Sequence, residues 1–442
     1  MIVNRNEILG FGDVEAKRIA LDVIEHAIAK ANPYELVKNC LKVKDGKIEV
    51  EGREFEFERV YVVAIGKGAC TMAKAVEDLL GDRIEEGVAV TKYGYSIPLE
   101  RIEVIEAGHP IPDENSMKGA KRGLEIARKV GERDLLIVLV SGGGSALFVM
   151  PEEGISLEDK IKTNELLLKS GAKIHEINTV RKHISKVKGG KFVKGVRGKV
   201  VALIISDVVG DDLEVIASGI TVKDPTTFED AYRILKIRGI WENLPESVRR
   251  HIELGMRGER EETLKEDLEN VHNFLICGMG RVCEFALEKV RELGLNGVIM
   301  TTTLEGEARE VGIAIASIVQ EIARFNRPFG KGTVLIFGGE TTVTIRGKAG
   351  RGGPNQELAL SSAKKIAGLR GCCIASVDTD GTDGPTDAAG GIVDSYTADA
   401  LEDLDECLAN HNAYECLKKA KALIITGPTK TNVNSMVVAV IL

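Results

Sequence analysis

The sequence predicts an α/β protein built on mainly parallel sheets, and three observations support this fold class. Short apolar runs alternate along the chain with longer amphipathic stretches, as strands alternate with helices in parallel-sheet proteins. Several of the apolar runs end in polar, glycine-rich turns, and open α/β sheets bind ligands beyond such strand ends. Hydrophobic residues make up 44% of the 442 positions, which is enough for a sizeable core.

The first half of the chain follows this rhythm from its first helix. Apolar residues that return every three or four positions predict helices, and continuous apolar runs predict buried strands. The predicted elements are a helix at 14–38, a strand at 60–66, a helix at 68–83, a strand at 87–94, a strand and turn at 134–147, helices at 157–170 and 174–186, and a strand at 199–212.

A strongly charged stretch from about 240 to 270 predicts surface helix and linker. We place the domain boundary there, with domains at 1–255 and 256–442. The second domain is predicted to contain a strand at 273–280, a helix through 293, a strand at 297–303, a helix at 307–324, two strands around a Gly-Gly-Glu turn within 332–347, a helix at 355–367, and strands at 371–377, 422–427 and 432–442.

Composition and charge exclude several functional classes. The net charge of −8 gives no hint of the basic face that nucleic-acid binders usually show. No apolar run reaches the roughly 18 residues of a membrane span, and the N-terminus has no signal-peptide pattern. The eight cysteines lack metal-ligand spacing and are predicted to be buried, reduced thiols. We predict a cytoplasmic protein with small-molecule substrates and no nucleic-acid or membrane partner, and homo-oligomers are compatible with this sequence.

Two glycine-rich turns follow predicted strands in the first domain. In AIGKGAC, Lys67 stands between Gly66 and Gly68, where backbone amides and a helix N-terminus favour an anion. In VSGGGSAL, the glycines expose backbone amides and two serines add hydroxyls, which suits phosphate. The predicted phosphate-binding residues of this second turn are Ser141, Gly142, Gly143, Gly144 and Ser145. The structural alternatives are a surface lysine and a sharp turn that requires positive φ.

Two acidic turns offer carboxylates at strand ends. Asp207, in ISDVVGDD, can hold Mg²⁺ or accept the proton of a substrate hydroxyl. The loop SVDTDGTDGPTDAAGG contains four aspartates, more than one Mg²⁺ needs. We predict that Asp380 and Asp383 contact a metal or ligand, while Asp378 and Asp387 hold the shape of the loop. A solvated acidic turn is the alternative in both places.

Two further segments carry polar side chains among glycines. GGETTVTIRGKAGRGGPNQELAL provides basic residues for a carboxylate or phosphate and then a helix N-terminus, and ITGPTKTNVNSM is a polar loop. The residues of interest are Glu340, Arg346, Lys348, Arg351 and Asn355 in the first segment, and Thr429 and Asn432 in the second. Making turns is the commoner role for such threonines and asparagines.

Several familiar nucleotide and hydrolase motifs do not occur. There is no Walker A sequence, and GMGRVC departs from the dinucleotide fingerprint at Cys283. GGGSA is not the nucleophile elbow of α/β hydrolases. His109 and His183 lie in polar settings, and we interpret both as structural.

With these segments in place, the sequence resembles the ATP-dependent glycerate 2-kinases, whose C-terminal portion is the MOFRL domain. The resemblance covers nearly the whole chain. It rests on the ordered motifs EAGHPIPDE, LVSGGGSAL, INTVRKHISKVKGG, ISDVVGDDLEVIASG, FGGETTVTI, NQELAL, DTDGTDGPTDAAGG and TGPTKTNVN. It implies a Rossmann-like N-terminal domain, a C-terminal MOFRL domain and an active site in the interdomain cleft. The implied reaction is phosphorylation of the 2-hydroxyl of D-glycerate by ATP and Mg²⁺.

The resemblance also implies residue roles. Lys67 would neutralise charge during phosphoryl transfer, and Asp207 would position or deprotonate the hydroxyl. A functional arginine of the family is expected near NQE, where Pro354 stands here, and Arg351 is our candidate for that role. The rival functions are a hydroxypyruvate reductase and a non-catalytic sensor of nucleotides or sugar phosphates.

Overall fold

The computed structural model describes residues 1–44, 46–347 and 349–442. Within these ranges, no helix combines the length and the apolar composition needed to cross a membrane. In chain order, the α-helices are α1 (Arg5–Ile8), α2 (Val14–Lys30), α3 (Pro33–Cys40), α4 (Ala69–Leu80), α5 (Glu114–Lys129), α6 (Gly144–Leu147), α7 (Leu157–Lys169), α8 (Ile174–His183), α9 (Phe228–Ile237), α10 (Glu246–Met256), α11 (Met279–Glu292), α12 (Ala308–Phe325), α13 (Pro354–Ile366), α14 (Leu404–Ala409) and α15 (Ala413–Lys419).

The strands form two six-stranded sheets and one small antiparallel sheet. In chain order, they are β1 (Leu41–Lys44), β2 (Lys47–Val50), β3 (Arg53–Phe55), β4 (Val60–Ile65), β5 (Ile84–Lys92), β6 (Ile102–Ala107), β7 (Leu135–Val140), β8 (Lys199–Ile205), β9 (Val271–Cys277), β10 (Asn296–Leu304), β11 (Thr333–Gly339), β12 (Cys372–Asp378), β13 (Gly390–Asp394), β14 (Leu423–Ile424) and β15 (Ser435–Ile441).

The chain divides into two compact units. The parallel-sheet unit is Pro33–Ile276, and the mixed-sheet unit joins Met1–Asn32 to Cys277–Leu442. These limits differ from the predicted domains at 1–255 and 256–442. The N-terminal segment groups with the C-terminal half because α2 packs on α11, β12 and β15.

The parallel-sheet unit has the strand order β6-β5-β4-β7-β8-β9. Its central strands β4 and β7 pair in parallel and are buried at every position. The order of neighbours reverses between these two strands, as in the Rossmann arrangement. The predicted Rossmann-like fold is therefore confirmed, and the carboxyl ends of β4 and β7 mark the expected position of a ligand.

The mixed-sheet unit has the strand order β10-β11-β15-β12-β13-β14. Strands β10 and β11 are parallel, while β15 runs antiparallel to both of its neighbours, β11 and β12. Helices α12 and α13 pack on each other, and their apolar residues share one core with this sheet. The prediction of an α/β C-terminal domain is thus confirmed.

Two local predictions were wrong. The predicted helix at 14–38 is interrupted, because Pro33 lacks an amide hydrogen and begins α3 instead of continuing α2. The second strand predicted within 332–347 is also absent from the described part of this segment. Thr342 makes only an isolated bridge to Glu307, and the Thr344 amide donates to the Glu307 carboxylate at 2.8 Å.

The cysteine prediction needs one correction. Cys407 and Cys416 form a disulfide that joins α14 to α15, so these two are not free thiols. The other six cysteines are unpaired, and all but the half-buried Cys40 are buried. The prediction of buried, reduced thiols therefore holds for most of the cysteines but not for this pair.

Candidate functional site

The turns that follow β4 and β7 are locked together at the switch point of the parallel sheet. The Lys67 amide donates to the Gly142 carbonyl at 2.8 Å, and the Gly68 amide donates to the Ser141 hydroxyl at 3.0 Å. Gly66 has φ +113°, and a Cβ there would lie 2.3 Å from the Ser141 carbonyl oxygen. Only glycine fits this close approach. The structure thus brings the two predicted anion-binding turns together.

His109 stands beside the second turn, although the sequence indicated only a structural histidine. Gly143 has φ +89°, and a Cβ there would lie 3.1 Å from His109 Nε2. Burial, followed by the positive charges of Lys67 and Lys92, lowers the pKa of His109 to about 4. Its imidazole is therefore neutral at physiological pH and can donate or accept one hydrogen bond. Its position within EAGHPIPDE was the one available signal.

Asp207 follows β8 and lies close to the same lysine. Its side chain is half-buried. Burial raises the pKa of Asp207, while the positive charge of Lys67 and its own backbone amide oppose the rise. A carboxylate of raised pKa beside a lysine is a candidate proton acceptor. The structure therefore brings Lys67 and Asp207, predicted from separate motifs, into one site.

The far side of the glycine turn is held by polar groups that the sequence did not identify. The Lys188 ammonium donates to the carbonyls of Gly144 and Ala217, both at 2.9 Å. The Ser145 and Ser218 hydroxyls lie 2.9 Å apart. Ser218 donates in turn to Asn178 Oδ1 at 3.0 Å, so the Ser145 hydroxyl donates to Ser218. Asn178 and Lys188 both belong to INTVRKHISKVKGG, which was the available signal.

The acidic loop at the end of β12 holds two neighbouring carboxylates under repulsion. The Asp380 amide donates to Asp378 Oδ1 at 3.0 Å. Burial, followed by the negative charge of Asp380, raises the pKa of Asp378 well above its ordinary value. Asp380 Oδ1 accepts from the Thr382 amide at 2.8 Å. Asp378 is therefore one of a destabilised acidic pair, in addition to shaping the loop.

Asp383 has a different environment from the one predicted. It is 2% exposed, and its carboxylate accepts from the amides of Asn355 and Gln356 at 3.0 and 2.9 Å and from their side chains at 3.1 and 2.9 Å. Burial raises its pKa while these four donors oppose the rise. Asp383 thereby satisfies the free amides at the N-terminus of α13. The four bonds occupy the lone pairs that a metal would need.

Arg351 lies against the surface of the mixed-sheet unit. Its guanidinium stacks 3.8 Å from the centre of the Tyr414 ring and pairs with Asp387 at 3.3 Å. Asp387 also accepts from the Tyr414 hydroxyl at 2.7 Å, in agreement with its predicted structural role. Pro354 is the first residue of α13. Its missing amide hydrogen costs no hydrogen bond there, because the first amide of a helix has no partner within the helix.

The polar loop near the C-terminus interlocks with the acidic loop. The Thr429 hydroxyl donates to the Thr379 carbonyl at 2.5 Å, and the Thr379 hydroxyl donates to the Asn434 carbonyl at 2.7 Å. Asn432, between these contacts, is half-buried. Thr429 and Asn432 therefore lie beside the acidic loop.

Two remaining predictions concern the segment after β11. Glu340 directly follows β11, is exposed, and its amide donates to the Leu304 carbonyl at 2.8 Å. Arg346 is also exposed, and its amide donates to the His411 ring. Lys348 lies outside the described residues.

Family models match most of the chain. A model described as a domain of unknown function, DUF4147, matches residues 19–253. The model of the MOFRL family matches residues 333–435. The two matches lie in the N-terminal and C-terminal halves of the sequence, respectively.

Individual relatives align over nearly the full length. The glycerate 2-kinase of Pyrococcus horikoshii is 61% identical over 433 residues, covering 97% of this chain and 98% of the relative. The D-glycerate 2-kinase of Thermotoga maritima is 47% identical over 437 residues, covering 98% and 100%. A crystal structure of the Thermotoga maritima glycerate kinase superposes with a TM-score of 0.87 at 46% identity, covering 96% of this chain and 99% of that one.

Proposed function

The chain belongs to the glycerate 2-kinase family, and we propose that it transfers the terminal phosphoryl group of ATP to the 2-hydroxyl of D-glycerate, giving 2-phosphoglycerate and ADP. The observation that carries the proposal is the proximity of Asp207, which follows β8, to Lys67, which follows β4 at the switch point of the parallel sheet. One positive and one negative group at the strand ends match the two requirements of phosphoryl transfer, charge neutralisation and an oriented hydroxyl.

Asp207 is the proposed acceptor of the hydroxyl proton. Its pKa is raised by burial, which makes the carboxylate a stronger base, and the positive charge of the nearby Lys67 favours its ionised form. Taking the proton from the 2-hydroxyl leaves an oxygen that can attack phosphorus.

Lys67 is the proposed group that stabilises the transferring phosphoryl. Its backbone is fixed by the bond to Gly142, while its side chain is half-buried near His109 and Asp207. An ammonium held in a site of reduced solvent access stabilises developing negative charge more strongly than one in water. Neutral His109 can donate a hydrogen bond without adding a second positive charge.

The turn from Ser141 to Ser145 supplies backbone amides for an anion at the same place. Its Gly143 has the left-handed conformation, and α6 begins at the next residue. Successive amides in such a turn form a concave surface that suits phosphate oxygens. The serines at its two ends are held by neighbouring groups, which keeps the turn in one conformation.

A divalent cation is implied by the family, and the acidic loop fits one. Asp378 and Asp380 are adjacent carboxylates whose repulsion a cation would relieve, and Mg²⁺ commonly takes one or two carboxylates with phosphate oxygens and water. We therefore propose this pair as the cation site in place of Asp380 with Asp383. When bound with ATP, the cation would neutralise phosphate charge. Binding roles for Arg351, Glu340, Asn355, Thr429 and Asn432 remain predictions.

A product-resolved assay tests the function. The chain is incubated with D-glycerate and Mg-ATP, and 2- and 3-phosphoglycerate are separated with ADP measured in parallel. We expect equal amounts of ADP and 2-phosphoglycerate. A second arm supplies hydroxypyruvate with NADH, and we expect no oxidation of the nicotinamide. Exclusive formation of the 3-phosphate would overturn the regiochemistry, and NADH oxidation without phosphorylation would favour a reductase.

A further inference from the structure

The two serines of the glycine turn differ in what the fold leaves available on their hydroxyl groups. Ser141 is 5% exposed, and its hydroxyl has a partner in each role: it accepts from the Gly68 amide at 3.0 Å and donates to the Ile65 carbonyl at 3.3 Å. Ser145, at the other end of the turn, is half-exposed. A ligand can therefore reach the Ser145 hydroxyl, and the direction of its hydrogen bond decides which groups it can bind.

Two buried polar side chains fix that direction. The Ser218 hydroxyl donates its hydrogen to Asn178 Oδ1 at 3.0 Å, so toward Ser145, 2.9 Å away, it can only accept. The Asn178 side-chain nitrogen donates to the Val215 carbonyl at 3.5 Å, which keeps Oδ1 turned toward Ser218. A hydroxyl has a single hydrogen to donate. Ser145 gives its hydrogen to Ser218 and presents only lone pairs to a ligand.

The backbone at Ser218 is held in an unfavourable conformation. Ala217, Ser218 and Gly219 have φ +50°, +60° and +66°, a left-handed stretch that costs free energy at each residue with a Cβ. The Lys188 ammonium donates to the Ala217 carbonyl at 2.9 Å and, through a second bond, holds this stretch beside the glycine turn. Glycine at 218 would remove the strain together with the hydroxyl. The strained residue is thus the one that orients Ser145.

The free lone pairs of Ser145 determine the chemistry of its partner. In the part of the chain that the structure describes, the Ser145 hydroxyl has no hydrogen bond besides the one to Ser218. Phosphate and carboxylate oxygens are acceptors, so an anion at this turn is bound by backbone amides and not by this hydroxyl. The group that fits Ser145 is a donor such as a substrate hydroxyl, in place of the phosphate contact predicted from the sequence.

We propose that Ser145 accepts a hydrogen bond from a non-reacting hydroxyl of a substrate, and that Ser218 and Asn178 are positioning residues that set its polarity. The inference rests on the proposed function, which brings a hydroxy acid and a nucleotide to this turn. In D-glycerate the non-reacting hydroxyl is on C3, next to the carbon whose hydroxyl is assigned to Asp207. The strands that precede Ser145 and Asp207, β7 and β8, are neighbours in the sheet. The ribose of ATP is the other source of the same chemistry.

The first arm of the test compares D-glycerate with D-lactate, which keeps the carboxylate and the 2-hydroxyl but has a methyl group at C3. The parent chain should have a kcat/KM at least about 10-fold higher for D-glycerate, because D-lactate leaves the Ser145 oxygen without a donor. Ser145→Ala should lower this ratio about 10-fold by lowering kcat/KM for D-glycerate alone. The control is Ser185→Ala, at a buried serine that donates to the Met150 carbonyl at 3.3 Å, and it should keep the parent ratio.

Ser218→Ala tests the polarity itself, because it leaves Ser145 in place but frees its hydroxyl to turn. This variant should also lower the ratio, and combining it with Ser145→Ala should lower it no further, as expected for residues that act through one another. An equal loss of kcat/KM for both acids would show a merely structural Ser218 and overturn its positioning role. If Ser218→Ala does not fold, Ser218→Gly tests the same ratio, because glycine adopts the left-handed conformation without strain.

The second arm replaces ATP with its 2′-deoxy and 3′-deoxy analogues at a fixed concentration of D-glycerate. A preference for ATP that Ser145→Ala removes would support the acceptor role and assign it to a ribose hydroxyl instead of the C3 hydroxyl. If Ser145→Ala changes neither the preference between the acids nor the preference among the nucleotides, the proposal is overturned.

Calorimetry with D-glycerate and D-lactate, without nucleotide, separates this inference from the kinase function. The parent chain should bind D-glycerate more tightly, and Ser145→Ala should lose that preference. The same result in a chain that forms no 2-phosphoglycerate would reject the kinase function and still support Ser145 as an acceptor. Phosphorylation with equal binding of the two acids, and no discrimination among the nucleotides, would keep the kinase function and overturn the role of Ser145.

Discussion

The charged side chains of the two units differ in how far the fold neutralises them. In the parallel-sheet unit, Lys160 and Lys188 are buried with no carboxylate partner among the described residues. In the acidic loop of the mixed-sheet unit, Asp383 has four donors and Asp387 has a hydroxyl and a guanidinium. A charge that the fold satisfies stabilises the fold, whereas repulsion between like charges destabilises it, and a bound ligand of opposite charge can relieve that repulsion.

The acidic loop contains both kinds of charge within ten residues. Asp383 satisfies the N-terminus of α13, while Asp378 and Asp380 repel each other a few residues earlier. The spacing of aspartates in a loop therefore says little about their roles, because each role depends on the hydrogen-bond donors and charges around the carboxylate. Variants at satisfied and at repelled carboxylates should accordingly differ in their effects on stability and on ligand binding.

The largest effect is expected at Lys67, the cation of the reaction site. Lys67→Ala should lower kcat about 10²-fold or more, because a preorganised positive charge on the transferring group is lost. The value of kcat is measured from the formation of 2-phosphoglycerate, in samples stopped at fixed times or at steady state. Thermal melting should show that the variant is folded. Lys74→Ala, on the outer part of α4 where the ammonium pairs with Asp78, should keep kcat within a factor of about two.

Near-parent kcat in a folded Lys67→Ala variant would remove this lysine from the mechanism. It would also weaken the distinction between charges that the fold satisfies and charges that act on a ligand, because Lys67 would then have no ligand to stabilise. Lys67→Arg provides an intermediate case, since it keeps the charge but changes the geometry of its donors.

The next effect concerns stability and falls on the satisfied carboxylate. Asp383→Ala removes four bonds and leaves the donors of Asn355 and Gln356 buried without partners, which should cost about 2–3 kcal/mol of unfolding free energy. Denaturant unfolding measures this cost. The control is Asp387→Ala in the same loop, whose exposed ion pair with Arg351 should contribute less than about 1 kcal/mol. Equal losses for the two variants would contradict the structural role assigned to Asp383.

The parts of the fold that could be predicted from the sequence are those whose signal is local. Strands β4, β7 and β8 are continuous apolar runs because both faces of the parallel sheet are covered, and the turn after β4 keeps a glycine where the turn after β7 approaches closely. The turns after β4 and β8 supplied Lys67 and Asp207. Here the local pattern and the tertiary site depend on the same residues.

Features that depend on distant partners could not be predicted in this way. Helix α2 has an ordinary amphipathic pattern, which does not indicate that its apolar face packs on β12 and β15. Asp383 and Asp380 have similar sequence surroundings, and only the fold places the N-terminus of α13 against one of them. Likewise, Lys160 and Lys182 both look like surface lysines in the sequence, yet both are buried and only Lys182 has an acid partner.

The smallest effect is expected at Asp378. Removal of this carboxylate should stabilise the fold, whereas removal of the Asp383 carboxylate should destabilise it. Burial and the charge of Asp380 raise the pKa of Asp378 in the folded chain above that in the unfolded chain. The folded state therefore binds this proton more tightly, and the free energy of unfolding falls as the pH rises through the raised pKa. Asp378→Asn removes the repulsion, so its melting temperature should exceed that of the parent chain by a few degrees near neutral pH and vary less with pH.

Addition of Mg²⁺ tests whether that repulsion serves a cation. Mg²⁺ should raise the melting temperature of the parent chain at neutral pH, because the ion binds the folded state and relieves the repulsion between Asp378 and Asp380. The increase should be smaller in Asp378→Asn and unchanged in Asp387→Ala, which keeps the acidic pair. If Asp378→Asn were destabilised at every pH and gained as much from Mg²⁺ as the parent, Asp378 would be a structural residue like Asp383, and the acidic loop would contain only charges that the fold itself satisfies.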